Sequence, residues 1–190
     1  MTIDTWNARI ETERTEKDLF FGQAWESPLP AEDRVGFQGL DYYPPDPDLR
    51  FELELHEHAD KQTVKMAFTK GEQSEFVQWG EFRFRIEGRD CTLQAYRHDP
   101  DDEGLFVPFR DSTSGDETYG AGRYLDLDPL DHRTAAGRWV VDFNVAYNPW
   151  CAYSEDYTCP VVPPENRLAV PLRAGEKSYR KPAAGSGTKP

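Results

Sequence analysis

A mainly β fold, an antiparallel β-barrel or barrel-like two-sheet sandwich with one N-terminal helix, is predicted by three features of this 190-residue chain. Apolar and polar residues alternate through much of residues 49–175, the pattern of strands with one buried face. Turn signals at Lys70-Gly71, at Gly88 and from Asp99 to Gly104 fall at hairpin distances, so the strands are expected to be antiparallel. Helical patterning is confined to the N-terminus, which argues against an α/β layer fold.

The helix is expected over residues 5–21, a stretch rich in helix formers, with Asp4 placed to cap its first amides. Trp6, Ile10, Leu19 and Phe20 would pack on the rest of the chain, while Arg9, Glu11, Glu13, Arg14, Glu16 and Lys17 would face water. Residues 22–48 carry Pro28, Pro30, Pro44, Pro45 and Pro47, which break helices and are excluded from central strands, so this segment reads as an irregular ordered connector.

Beyond it, Phe51, Leu53 and Leu55 alternate with Glu52, Glu54 and His56; Val64, Met66 and Phe68 alternate with Lys65; Phe82, Phe84 and Ile86 alternate with Arg83, Arg85 and Glu87. Further strands are expected at 75–79, 92–98, 105–109, 123–127, 139–144 and 168–173. Together these make a single β-rich domain over residues 1–180, followed by a Gly-, Ser-, Ala- and Pro-rich tail, 181–190, expected to be flexible.

Thirty-five acidic against 22 basic residues give a net charge of -13, which repels a phosphate backbone, so nucleic acid is not an expected partner. No apolar run approaches a membrane span and no secretory leader is recognisable, so a soluble cytoplasmic protein without a membrane partner is expected. Acidic clusters such as Asp99, Asp101, Asp102 and Glu103, with arginine favoured over lysine, suggest adaptation to high salt; an ordinary acidic cytosolic protein is the alternative. The oligomeric state is not legible.

The densest concentration of distinctive residues is 141–164, VDFNVAYNPWCAYSEDYTCPVVPP, preceded by the polar segment 110–124. Arg123, Asp142 and Asn144 belong to predicted strands, and an Arg–Asp pair in a cavity could anchor a carboxylate or amide; a salt bridge locking two strands is the alternative. Tyr124 adjoins Arg123, and Tyr147, Asn148, Cys151 and Tyr153 supply rings, an amide and a thiol for a pocket wall, or else a plug closing one end of the fold. These eight residues are the candidate ligand-binding set.

Gly115, Gly120 and Gly122 could expose amides as an anion-binding nest, or form a tight irregular turn with Thr113, Thr118 and Tyr119; no phosphate-loop or dinucleotide fingerprint completes them. Cys151 and Cys159 fall outside any C-x-x-C pair and lack the partners of a zinc site, and His56 and His58 share a strand face with Glu52 and Glu54 as a solvated edge does, so no metal is expected. Cys91 reads as a small core residue. A G-x-S-x-G elbow and an H-E-x-x-H helix are both missing.

Three blocks, FRDSTSGDETYGAGRYLDL (109–127), VDFNVAYNPWCAY (141–153) and CPVVPPENRLAVPLRAGEK (159–177), resemble the signature blocks of the bacterial and archaeal family called domain of unknown function 1684. Ser27-Pro28-Leu29 and Phe37-Gln38-Gly39-Leu40 resemble it too, so the similarity spans nearly the whole chain. The resemblance implies one domain centred on these motifs and carries no mechanism or cofactor. The leading expectation is therefore a protein that binds a small polar or anionic molecule near Arg123, Asp142 and Cys151; the alternatives are an enzyme, such as a hydrolase, using the same cluster, or a structural or interaction protein.

Overall fold

The computed structural model describes residues 2–181, and the expected tail beyond Lys181 lies outside the described residues. Helix α1 spans Ile3–Gln23. Its cap is Thr2 rather than Asp4: the Thr5 amide donates to Thr2 Oγ1 at 3.3 Å, and Asp4 sits within the first turn, where a negative charge meets the positive end of the helix dipole. Trp6, Ile10 and Phe21 are buried, whereas Leu19 is exposed. An inward stripe through 6, 10, 14, 17 and 21 leaves position 19 on the far side of the helix. No helix among the described residues is long and apolar enough to cross a membrane.

Seven strands follow among the described residues: β1 Arg50–Leu53, β2 Leu55–Ala67, β3 Gln73–Ile86, β4 Arg89–Arg97, β5 Leu105–Phe109, β6 Arg123–Leu127 and β7 Trp139–Asp142. They form two antiparallel sheets, β1-β7 and β2-β3-β4-β5-β6. The fold is mainly β with an N-terminal helix, as expected, but the sheets are not closed and the barrel does not form. The larger sheet ends at β2 and β6, which do not pair with one another. A break at Glu54 splits the alternating run at 51–56, sending β1 to β7 and β2 to β3.

Two expected strands, 75–79 and 82–86, are one continuous β3 with a register shift between Gln78 and Gly80. At Gly80 an added Cβ would lie 2.7 Å from the His56 carbonyl oxygen, so any side chain there would collide with β2. The β3–β4 hairpin turns on Glu87 and Gly88, both at positive φ (49° and 77°), the type I′ geometry that matches strand twist.

The strand expected at 168–173 is not one. Leu168, Val170, Leu172 and Ala174 do alternate inward, but beyond an isolated bridge of Arg167 to Arg110 the segment joins no ladder. Its apolar side chains complete a core shared by both sheets, with Phe82, Leu93, Phe109 and Leu125 from one and Trp139, Val141 and the following Phe143 from the other. The connector is ordered and lies along α1: the Leu40 amide donates to Asp18 at 2.9 Å, and the Tyr43 amide to the Gly175 carbonyl at 3.0 Å.

Candidate functional site

The C-terminal segment lacks a neighbouring strand, and Arg123 supplies the donors one would have given. Its guanidinium, without solvent exposure, donates to the carbonyls of Leu172 (2.7 Å), Ala174 and Glu176 (3.1 Å) and to Asp111 Oδ2 at 2.9 Å. The expected pairing of Arg123 with Asp142 is thus replaced by pairing with Asp111. That carboxylate is itself held by Thr113, whose amide and hydroxyl both donate to Oδ1, at 2.8 and 2.6 Å.

Asp142 ends β7 and caps the 3₁₀ turn Phe143–Val145, accepting from the Asn144 amide at 3.0 Å and its side-chain amide at 2.9 Å. Trp6 of α1 donates its indole N–H to Asp142 Oδ2 at 2.7 Å, and Arg50 approaches at 3.7 Å. Asp142 and Asn144 are nevertheless both buried, although Val141 and Phe143 fill the core. The helix covers the face that period two assigns to solvent, so both faces of β7 are inside.

A cleft of about 170 Å³ opens between α1 and the turn after β7. Arg14 and Lys17 come from the helix, Tyr42 from the connector, Asn144 and Tyr147 from the turn, and Glu176 from the C-terminal segment. Glu176 is almost wholly buried. One of its oxygens accepts from the Asn148 amide at 2.9 Å and from the Tyr153 hydroxyl; the other pairs with Lys17. The Lys17 ammonium also lies 5.1 Å from the Tyr147 ring centre, a cation–π contact.

Arg14 is different. Its guanidinium stacks on the Tyr42 ring at 4.5 Å, and burial lowers its pKa from the ordinary value. Nε and Nη2, the adjacent pair of its donor fork, are buried and find no hydrogen-bond partner among the described residues; nor does the Tyr42 hydroxyl. Burial raises the Tyr42 phenol pKa, followed by the nearby Glu176 charge, so it stays an O–H donor. Three unsatisfied donors at one wall are an exception to the rule that buried polar groups are paired.

Of the eight candidates, Asn144 and Tyr147 line this cleft, while Asn148 and Tyr153 hold Glu176 from behind. Tyr124 exchanges backbone hydrogen bonds with Tyr147 (2.9 and 3.1 Å), tying the cleft wall to β6. Arg123 fixes the backbone leading to Glu176, Asp142 lies at the Trp6 end of α1, and Cys151 sits beside Cys159 and Tyr119. The glycine-rich stretch forms the turn rather than a nest: the Gly115 and Gly122 amides donate to the Thr118 and Tyr119 carbonyls at 2.9 and 3.0 Å.

Arg14, Lys17, Tyr42, Asp111 and Glu176 escape sequence reasoning. For the helix the signal is present, since positions 14 and 17 continue the stripe of Trp6 and Ile10, but charged residues on a helix ordinarily face water, and the expectation for both follows that rule. For Glu176 and Asp111 no local pattern marks burial.

The fold has relatives. The solution NMR structure of an uncharacterized protein from Haloarcula marismortui is 37% identical, with a TM-score of 0.70 covering 92% of this chain and 95% of that one. No curated protein matches the chain. The profile of the family described as "Protein of unknown function (DUF1684)" matches residues 35–177, a span that contains Tyr42, Asp111, Arg123, Asn144, Tyr147 and Glu176, and the chain belongs to that family.

Proposed function

We propose that the protein binds a small carboxylate in the cleft between α1 and the turn after β7. The observation that carries this reading is the unpartnered donor fork of Arg14 beside the unpartnered Tyr42 hydroxyl. A guanidinium edge and a carboxylate match as two parallel N–H···O bonds, and Tyr42 adds a third donor. Lys17 is already occupied by Glu176, and Arg14, whose Nη1 lies 3.6 Å from the exposed Glu11 carboxylate, keeps its Nε–Nη2 edge for a ligand. The volume suits a molecule about the size of benzene, which fills cavities of ~150 Å³.

Within this reading Arg123 is a positioning residue: it fixes the strand-like backbone that presents Glu176. The described residues act as one domain, and the acidic composition supports a salt-rich cytoplasm as the setting, which a rise in melting temperature from low to molar KCl would bear out.

The test is a titration of isotope-labelled protein with carboxylates from acetate to benzoate, alongside their amides, read by amide and arginine Nε shifts. Saturable shifts at Arg14 and Tyr147 with carboxylates alone, weakened roughly 10- to 100-fold in Arg14→Gln, are expected for a charge-assisted pair. Equal response to the amides, or an unchanged response in Arg14→Gln, overturns it.

A second reading, an enzyme of hydrolase type, rests on Glu176, whose contacts with Lys17 and Tyr153 put an acid, an amine and a phenol in one cluster. Turnover of carboxylic esters that disappears in Glu176→Gln, with binding retained, would favour it over simple binding.

A further inference from the structure

Away from the cleft, two thiols meet. Cys151 lies in the 3₁₀ turn Trp150–Ala152, and its amide donates to Cys159 Sγ at 3.2 Å. The Tyr119 hydroxyl reaches the Cys151 sulfur at 3.7 Å and its carbonyl at 3.4 Å. Cys159 is pinned from the other side at the tip of the β2–β3 hairpin. Its amide donates to Thr69 Oγ1 at 3.2 Å and its carbonyl accepts from the Thr69 amide at 3.0 Å. Val161 continues this contact, its amide donating to the Ala67 carbonyl at 2.7 Å. Both cysteines are free thiols. They differ in access: Cys159 is buried, whereas Cys151 is half-buried beside the exposed Trp150.

We infer that Cys151 and Cys159 are a peroxide-reactive dithiol, with Cys151 the attacking sulfur and Cys159 the resolving one. The assignment follows from position, since the attacking thiolate must be reached by the oxidant and stabilised by donors, and the resolving thiol must already face it. The Tyr119 O–H is the donor toward the Cys151 sulfur, and the neighbouring Cys159 thiol is the largest influence lowering the Cys151 pKa. Cys159 shifts the opposite way, so Cys151, the accessible partner, is the first of the two to ionise.

The chemistry balances with a hydroperoxide as oxidant. The Cys151 thiolate attacks one peroxide oxygen, the O–O bond breaks, and the sulfur becomes a sulfenic acid while hydroxide leaves. Cys159 then attacks that sulfur, an S–S bond forms, and the sulfenic oxygen departs with a proton as water. Two thiols lose two electrons and the peroxide gains them. Reduction by an external thiol reverses the second bond. The bridge would clamp the Trp150–Ala152 turn to the β2–β3 hairpin, closing a loop flanked by Pro149 and Pro160.

Intact protein exposed to hydrogen peroxide, then alkylated and mapped by mass spectrometry, tests this. Expected is the loss of two of three alkylatable thiols, the loss of two hydrogen atoms in mass, and a Cys151–Cys159 linked peptide within a monomer, with Cys91 still alkylatable. Cys159→Ser should stop at a sulfenic acid on Cys151 that dimedone captures; Cys151→Ser should leave Cys159 unmodified. Near-ultraviolet circular dichroism checks that each variant is folded, and Cys159→Ala replaces the serine variant if it is not. Modification of Cys91 at the same rate, disulfide between molecules, or dimedone capture at Cys159 overturns the inference.

Discussion

The guanidinium of Arg123 and the carboxylate of Asp111 meet at 2.9 Å with neither side chain exposed to solvent. Around that ion pair the fold does something a sheet normally does with strands: it satisfies a run of carbonyls, at Leu172, Ala174 and Glu176, from a single side chain. The cleft depends on it, because Glu176 projects from this backbone.

The first prediction concerns that pair. Removing one partner of a buried ion pair strands the other, and Arg123→Met also strips donors from three carbonyls. A loss of about 3–5 kcal/mol is expected, measured as a lower urea midpoint. Arg123→Lys should recover little of it, because one ammonium cannot span the four acceptors that the planar fork serves. A variant with unchanged midpoint but lost carboxylate binding would instead make Arg123 a ligand contact.

Trp6 and Asp142 are the second case. The indole N–H to carboxylate bond at 2.7 Å is the polar fastening of α1 to the end of β7, next to apolar burial of Trp6 and Ile10. Trp6→Phe keeps a ring and removes the donor, so a cost of about 1.5–3 kcal/mol is expected, the range for a hydrogen bond to a charged group. Trp6→Phe should lower the denaturant midpoint without altering the slope; a loss below the error of the midpoint would mean that Asn144 and Arg50 satisfy Asp142 alone.

What sequence reasoning reaches, and where it stops, follows from what local patterns encode. Alternation at Phe82, Phe84 and Ile86 marks a strand because the buried partner is a whole core, independent of which residue faces which. The same alternation at Leu168, Val170 and Leu172 is equally clear and marks burial correctly, yet no ladder forms: period two reports which side is inside, while pairing depends on what lies alongside. Asp142 and Asn144 illustrate the converse. Their polarity suggests an outer face, and only distant segments put them inside: α1 through Trp6 on Asp142, a contact across 136 positions, and the connector through the Asp46 backbone on Asn144. The cleft is half visible in the sequence, through Asn144 and Tyr147, for the same reason: its other wall is the helix.

A third prediction follows from Asp18, whose carboxyl accepts from the Leu40 amide at 2.9 Å. Burial is the largest influence on it and raises its pKa. In the window between the ordinary aspartate value, about 3.9, and the raised one, the folded state binds more protons than the unfolded state, so this group's contribution to stability falls as pH rises. Asp18→Asn keeps a carbonyl acceptor and cannot ionise. Its stability relative to the parent should therefore increase as pH is raised from about 4 through this window and then level off. A difference that stays constant with pH, or shrinks, would contradict the assignment.

The last prediction tests whether the backbone at Glu176 sets the cleft. Gly175 has φ of 73°, and a Cβ there would lie 2.5 Å from the Ala146 carbonyl oxygen and 2.7 Å from that of Phe143. Neither oxygen can retreat easily: Ala146 O accepts from the Glu176 amide at 2.9 Å and Phe143 O from the Ala146 amide at 3.1 Å. Gly175→Ala should cost more than the about 1–3 kcal/mol of an unfavourable backbone region, because overlap adds to it, and the relief available is a shift of the segment carrying Glu176. Weakened carboxylate binding should then accompany lost stability, although Gly175 touches no ligand. Gly71, also at positive φ but with nothing near its would-be Cβ, provides the control: Gly71→Ala should show the backbone cost alone and leave binding unchanged. Equal losses of stability in the two variants, with binding intact in both, would show that the Gly175 backbone does not set the cleft.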